Sequence, residues 1–359
     1  MKVFILGFIS PWIIYLLITI LHRALPGRLV TGYVKDAATG QLLNYRLNGR
    51  SVLLSMVLLW FVLGYLNWVD FDWLYKVRWQ GLAGACVFGL VFSLWIVMRS
   101  PGSGDSFIAD FYLGRLENPQ FNNGKIDVKM WLYLIGAVML ELNILSFAAH
   151  HYLTFGSMST GLLLTCSMLS FFVLDYLSFE KVHLYTYDFF AEKVGFKLGW
   201  VCLTFYPYFY SIVVWSTVDL QGKETSSWLV VLYLLLFLTG WSLARGANMQ
   251  KFYFKTDPNR TFLGIRPQII SNGDHSLLVN GFWGLSRHIN YLGEILMAVA
   301  IALGSGHPEV LWVWLYPLYY LALLIPRQLD DDQRCGFKYG ELWREYKKRV
   351  PYRIIPFVY

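Results

Sequence analysis

Four stretches of this sequence concentrate side chains able to do chemistry, and each has a plainer reading. In the last stretch, residues 327–359, helical spacing puts Arg327 and Asp331 four apart on one face, with Arg334, Cys335 and Lys338 continuing the stripe. Trp343 and Tyr346 add rings three apart, and Pro351 is expected to end the helix. Guanidinium and ammonium groups suit phosphates and rings suit stacking, so a nucleotide would fit this helix. A basic helix resting on anionic lipid is the alternative.

The segment GFWGLSRHINYLGEIL, residues 281–296, gathers Trp283, Arg287, His288, Asn290, Tyr291 and Glu294 at the mouth of an apolar run. The spacing places Arg287, Tyr291 and Glu294 on one helical face with His288 beside them. One histidine here would be a packed structural residue, but six polar or aromatic groups so close together point to a ligand. The cluster RGANMQK, residues 245–251, follows another apolar run, with Gly246 and Ala247 permitting close backbone approach and Lys255 four residues beyond Lys251. A basic loop facing the cytoplasm explains this pattern equally well. In residues 174–190, Asp175, Glu180 and Asp188 stand where apolar runs give way to a polar stretch. A carboxyl beside an apolar pocket has its proton held more tightly and can donate it; a solvated loop acid is the plain alternative. No Gly-x-Gly-x-x-Gly, Walker A or Gly-x-Ser-x-Gly motif occurs.

The elements that must position these groups follow from composition. Of 359 residues, 56% are hydrophobic and 15% charged, too few charges to cover a soluble domain of this size. The net charge of +7 could suggest nucleic acid, but apolar runs assign it to loops beside anionic lipid, and no nucleic-acid partner is expected. Apolar runs long enough for a bilayer lie at residues 3–21, 52–68, 82–98, 130–147, 159–176, 198–213, 227–243, 292–304 and 310–326. The reading is all-α: a multi-pass bundle of about nine or ten spans with a basic cytoplasmic C-terminal helix. Arg23 and Arg28 follow the first run with no small-residue cleavage site, so that run is expected to remain as a span. Basic residues between 245 and 287 and again beyond 327 place both segments in the cytoplasm, consistent with the two-span hairpin between them. The four cysteines (Cys86, Cys166, Cys202 and Cys335) have neither disulfide-framework nor metal spacing.

In this order the clusters resemble the family of sterol Δ14-reductases, 7-dehydrocholesterol reductases and the membrane domain of the lamin B receptor. The likeness runs from about residue 25 to 359 through LPGRLVTGY, YRLNG, DFYLGRLENP, RGANMQK, LLVNGFWGLSRHINYLGE, the R-x-x-x-D-x-x-x-C-x-x-K-Y-G-x-x-W-x-x-Y tail and VPYRIIPFVY. It implies one membrane domain over residues 1–359, with N-terminal spans in 1–196 and an NADPH- and sterol-binding half in 197–359. It also implies cofactor contacts from Lys251, Lys255, Trp283, His288, Asn290, Tyr291, Arg327, Asp331 and Tyr339. The shorter motif SRHINYLGE is shared with steroid 5α-reductases and isoprenylcysteine carboxyl methyltransferases; the long tail favours sterol reductases. Glu180, Asp188, Pro207, Tyr210 and Ser211 match the family pattern. Asp330, Pro326 and Lys255 depart from it, and Cys202 stands where the family has an acid.

The implied reaction is NADPH-dependent reduction of a sterol carbon–carbon double bond. An unactivated alkene does not accept hydride, so an acid must protonate it first; the candidates are Glu180, Asp188 and Tyr210. The Δ14 bond is the first choice, with Δ7 and Δ24 behind it. A non-catalytic sterol-binding scaffold and an S-adenosylmethionine-dependent methyltransferase are the rivals of other classes. The sterol would enter from the bilayer, in the endoplasmic reticulum of a eukaryote or the inner membrane of a bacterium. The lamin-binding segment has no counterpart, so a nuclear scaffold role is not expected.

Overall fold

The computed structural model describes residues 1–36, 39–102, 104, 106–121, 124–222 and 225–359. The chain divides into two compact units, Met1–Lys223 and Glu224–Tyr359. The first contains α1 (Lys2–Ala24), β1 (Arg28–Lys35), β2 (Leu42–Leu47), α2 (Gly49–Tyr65), α3 (Trp73–Lys76), α4 (Arg78–Val97) and α5 (Phe107–Leu113). After β3 (Gln120–Phe121) and β4 (Ile126–Asp127) come α6 (Val128–Phe155), α7 (Thr160–Ser178), α8 (Glu180–His183) and α9 (Tyr187–Phe190). A broken helix follows: α10 (Phe196–Trp200), a π-helical turn Val201–Phe205, α11 (Tyr206–Phe209) and α12 (Ile212–Thr217). The second unit holds α13 (Ser227–Thr256), β5 (Ile269–Ser271), β6 (Ser276–Leu278), α14 (Phe282–Leu285), α15 (Ile289–Gly304), a 3₁₀ turn Leu311–Trp314, α16 (Leu315–Tyr339) and α17 (Glu341–Arg349).

The helical expectation holds, and among the described residues six helices are long and apolar enough to cross a membrane: α1, α4, α6, α7, the composite Phe196–Thr217, and α13. Two more apolar helices, α2 and α15, are shorter. Among the described residues the sheets are three separate antiparallel strand pairs, β1–β2, β3–β4 and β5–β6.

Local chemistry accounts for the element ends. Asp127 caps α6 by accepting from Met130 N at 3.0 Å, and Ser159 caps α7 through Leu162 N at 3.3 Å. Gly156 ends α6 at φ 73°, a left-handed position where a side chain would be strained. The kink between α10 and α12 has a specific cause. Pro207 lacks an N–H, which would orphan the Leu203 carbonyl one turn back; the Tyr15 hydroxyl of α1 donates to that carbonyl instead. Asn143 of α6 donates to the Pro207 carbonyl at 2.9 Å, and Thr204 to that of Ala85 at 2.9 Å. The first two of these bonds give carbonyls of the broken helix a side-chain donor, and the third ties that helix to α4.

Small residues let helices approach closely, as apolar side chains alone cannot drive association in lipid. In the first unit a Cβ on Gly84 would lie 1.8 Å from the Phe8 carbonyl oxygen. In the second, a Cβ on Gly293 of α15 would sit 2.5 Å from both the Ala244 nitrogen and the Gly240 oxygen of α13. Those atoms are backbone and cannot turn aside.

Three local expectations are corrected. Residues 245–251 belong to α13 and not to a loop, because the helix continues past the apolar run to Thr256. Residues 281–296 are not one helix: α14 ends at Leu285, Ser286 is extended, and α15 starts only at Ile289, so Arg287 does not share a helical face with Tyr291 and Glu294. The tail helix breaks at Gly340, φ 55°, before α17 begins, so Pro351 follows a second helix.

Gly293→Ala is expected to lower the melting temperature of the purified protein in detergent by several degrees, since a backbone clash must be relieved. Gly336→Ala, whose new carbon meets nothing nearer than 3.9 Å, should leave it unchanged or raise it slightly. Equal effects at the two positions would show that the α13–α15 approach is not a constraint.

Candidate functional site

In the second unit the three clusters of the C-terminal third meet. Gln250 on α13 accepts from Phe282 N at 3.0 Å and donates to the Asn280 carbonyl at 3.2 Å, fixing the entry to α14. Gly281 makes that turn at φ 64°, and a Cβ there would strike Gln250. The Trp283 indole N–H donates to the Ala247 carbonyl at 2.8 Å. Its ring is thereby held with the Lys251 ammonium 5.6 Å from its centre.

The next residues are fixed by the tail. Arg287 N and His288 N donate to the Tyr352 and Arg353 carbonyls at 2.9 and 2.8 Å, and Ser286 Oγ to the Ile354 carbonyl at 2.8 Å. The buried Arg287 guanidinium donates from Nη1 to the Val350 and Pro351 carbonyls, both at 2.9 Å. Arg287 is thus a clamp on the tail, a role its spacing did not reveal.

His288 follows as the residue before α15, 4% exposed, its ring stacked on Tyr291 with centres 4.9 Å apart. Burial, with Arg287, Lys251 and Arg353 near, pushes its imidazole down to about 3, so the ring is neutral at physiological pH. Asn290 donates to Asn248 Oδ1 at 3.4 Å. Among the described residues, His288 Nε2 and Asn290 Oδ1 are buried without a hydrogen-bond partner. Such atoms are costly unless something completes them.

On α16, Arg327 is half-buried one turn before Asp331. Asp331 lies within electrostatic reach of Lys251 and Arg334; burial pushes its carboxyl up, and those two cations oppose the rise. Lys255 is exposed one turn beyond Lys251, its ammonium 5.9 Å from the Phe254 ring centre. Tyr339 packs edge-on to His275 at 5.2 Å. Trp343 and Tyr346 do not offer free faces: they stack at 4.9 Å within a small core with Ile270, Leu342 and Val350. Trp343 also donates to Asp332 Oδ1 at 3.0 Å.

These residues fit a dinucleotide on their own chemistry: two buried polar atoms, His288 Nε2 and Asn290 Oδ1, lack partners among the described residues, and His288 lies in a field set by Arg287, Lys251 and Arg353. Lys251, Trp283, His288, Asn290, Tyr291 and Asp331 are tied together by the contacts above. Sequence reasoning missed Asn248, Gln250 and Arg353 as contributors, and it took Arg287 for part of a ligand cluster and not for a clamp. The first two lie inside the quoted RGANMQK motif, but helical wrapping was needed to see which way they serve.

The acid candidates belong to the first unit. Glu180 Oε2 accepts from Gly49 N at 3.0 Å, at the start of α2, and the side chain is 7% exposed. Burial pushes its carboxyl up to about 7 against the opposing pull of the Gly49 bond and Arg28. Asp188 is half-buried; its backbone carbonyl accepts from Lys129 Nζ at 2.9 Å, and it lies within electrostatic reach of Cys202. Tyr210 sits at the break between α11 and α12, edge-on to Tyr206 at 4.7 Å. Cys202 is buried in the π-helical turn.

Residues 4–359 match the ergosterol biosynthesis ERG4/ERG24 family. The chain is 32% identical over 362 residues to a Delta(14)-sterol reductase of Arabidopsis thaliana, covering 96% of this chain and 94% of that protein. It is 32% identical to a Delta(14)-sterol reductase of Methylotuvimicrobium alcaliphilum over 93% of this chain and 79% of the relative. With the Saccharomyces cerevisiae Delta(14)-sterol reductase ERG24 the identity is 28% over 99% of this chain and 85% of the relative.

Arg287→Ala should free the tail, since two carbonyls lose their donor, the buried one of Val350 at about 1–3 kcal/mol and the partly exposed one of Pro351 at less. The expected result is faster trypsin cleavage after Arg349 and Arg353, together with a lowered melting temperature, read by mass spectrometry and a thermal scan. An unchanged cleavage rate would show that the backbone pairing alone holds the tail.

Proposed function

The chain belongs to the ergosterol biosynthesis ERG4/ERG24 family, and we propose that it is an integral membrane reductase that uses NADPH to reduce a sterol carbon–carbon double bond, the Δ14 bond first among them. The observation that carries the cofactor half is the pair of buried atoms, His288 Nε2 and Asn290 Oδ1, without partners among the described residues, with Arg287, Lys251 and Arg353 around His288. When bound, NADPH supplies hydride. Lys251 and Arg327 would meet its phosphates, Trp283, Tyr291 and Tyr339 its rings, and Lys255 would stand at the exposed rim. Asp331, close to Lys251, would orient that ammonium. His288, held neutral, offers a hydrogen bond without adding charge.

The proton falls to Glu180. Its carboxyl, pushed up to about 7, is still partly protonated near neutral pH, and Gly49 N–H fixes one oxygen so that the acid has a defined direction. Asp188 and Tyr210 are the alternatives. Proton addition leaves a tertiary or allylic cation, which a water-poor apolar site protects until hydride arrives. The six long apolar helices, the shorter α2 and α15, and the apolar first half of α16 together support nine spans, with the tail in the cytoplasm. The membrane would be the endoplasmic reticulum in a eukaryote and the inner membrane in a bacterium.

Cys202, buried where an acid was expected, favours two other readings: reduction at Δ7 or Δ24, or sterol binding without turnover. The test is NADPH-dependent turnover by the purified protein in detergent with Δ8,14, Δ7 and Δ24 sterols side by side, products read by mass spectrometry. Loss of the Δ14 bond is expected. Turnover of another sterol alone would move the specificity, and absence of NADPH binding would sink the reductase reading.

Glu180→Gln keeps the acceptor for Gly49 while removing the acid. It should cut turnover about 10²–10⁴-fold, the usual worth of a general acid. In the unaltered protein kcat/KM should fall as pH rises through about 7, because the raised carboxyl gives up its proton there. A Gln variant with full turnover and the same pH limb would hand the role to Asp188 or Tyr210.

A further inference from the structure

The motifs LPGRLVTGY and YRLNG meet at the acid Glu180: Arg28 lies within its electrostatic reach and Gly49 N–H donates to it. Between them stands Asn48, at the N-cap of α2, where an asparagine ordinarily accepts from an N–H of the first turn. Here its side chain makes no such bond. It is buried and turned towards the end of α1. Asn48 Nδ2 donates to the His22 and Leu25 carbonyls at 3.0 and 3.2 Å, and its Oδ1 meets His22 Nδ1 at 2.6 Å. The two carbonyl acceptors fix which end of the amide is nitrogen. Oδ1 therefore accepts, and the buried His22 ring carries a proton on Nδ1.

With Asn48 turned away, the first turn of α2 takes its acceptor from a distant element. Glu180 of α8 accepts from Gly49 N through Oε2 at 3.0 Å. The carboxyl lies close against that turn: a Cβ on Gly49 would sit 2.6 Å from Oε1 and 2.9 Å from Cδ. Glycine therefore permits the approach, and Asn48 keeps a rival acceptor away. An Asn48 side chain swung over α2 would bring its own oxygen to the same few free N–H groups. Among the described residues, Arg28 at the start of β1 supplies the charge that reaches Glu180 from another element, and Lys181 and His183 follow on α8 itself.

We propose, resting on the reading of Glu180 as the proton donor, that Asn48 is its positioning residue: held to α1 by His22, it leaves the first turn of α2 to the Glu180 carboxyl, which the Gly49 N–H then fixes and directs. In this role Asn48 touches neither alkene nor cofactor. It acts through where the acid points and how tightly that acid holds its proton. The Gly49 N–H favours the ionised carboxylate, so its loss leaves burial opposed by Arg28 alone, and Glu180 keeps its proton to higher pH.

The experiment titrates Glu180 in the full chain in detergent, from the infrared band of its protonated carboxyl, assigned as the band that Glu180→Gln removes. Turnover against pH is measured on the same samples. Asn48→Ser is the first variant, since a serine hydroxyl caps its own helix and is too short to reach α1. The band should titrate about one pH unit higher, the scale of one hydrogen bond to a carboxylate. With the acid misdirected, kcat should fall about ten- to hundredfold while KM stays unchanged. His22→Phe, which removes the donor that holds Asn48, should act in the same direction. His22→Asn, whose amide nitrogen stands where Nδ1 does, should keep the titration near 7 and most of the turnover. If Asn48→Ser does not fold, the two His22 variants decide alone. An unmoved band in folded Asn48→Ser or His22→Phe, or equal behaviour of the two His22 variants, overturns the proposal. Failure of the donor reading looks different: Glu180→Gln then keeps full turnover while the band still moves in the other variants.

Discussion

The arrangement of the second unit depends on one guanidinium. Arg287 spends two hydrogen bonds on the carbonyls of Val350 and Pro351, and the backbone on either side of it pairs with Tyr352 and Arg353. That clamp stops residues 286–288 from being helical, which leaves His288 at the start of α15 with its ring against Tyr291. It also brings Arg353 close enough to add to the field that keeps His288 neutral.

The same logic, carbonyls completed by distant side chains, governs the first unit. Pro207 breaks the composite helix; Tyr15 of α1 and Asn143 of α6 supply donors to its carbonyls, while its own Thr204 donates to the Ala85 carbonyl of α4. In water the loose carbonyls would be solvated at little cost; within a span they must be matched by protein. A kink so tightly supported is a rigid feature, and Tyr210 at its end inherits a fixed place.

What the sequence made legible follows from these forces. Apolar runs marked the long spans because a bilayer demands length and apolarity over a whole segment, which composition records. The end of α13 was misjudged for the complementary reason: Arg245, Lys251 and Lys255 look like a loop by charge, yet a helix can carry basic residues out of the apolar layer without ending. The extended segment at Arg287 left no local trace, since its partners lie more than sixty residues away. The Gly340 break did carry a signal, a glycine after a lysine-bearing turn, but the polar stripe running from Arg327 to Lys338 masked it. The residues grouped as cofactor contacts entered through family likeness, and their geometry then grouped most of them around Lys251 and His288.

Cys202 is the departure with the largest chemical consequence. A buried thiol in an apolar turn is a poor proton donor to carbon, so the acid lost at that position cannot be replaced by the residue standing there. Asp188 remains in electrostatic reach of that turn, while Glu180 is anchored elsewhere by the α2 terminus. Of the two, only Glu180 combines near-complete burial with a fixed hydrogen-bond donor, and those two features act in opposite directions on its proton. Burial wins, which leaves a carboxyl poised near neutrality. On the proposed reading of Glu180 as the donor, position 202 then marks a change in how the proton is supplied and not its abandonment.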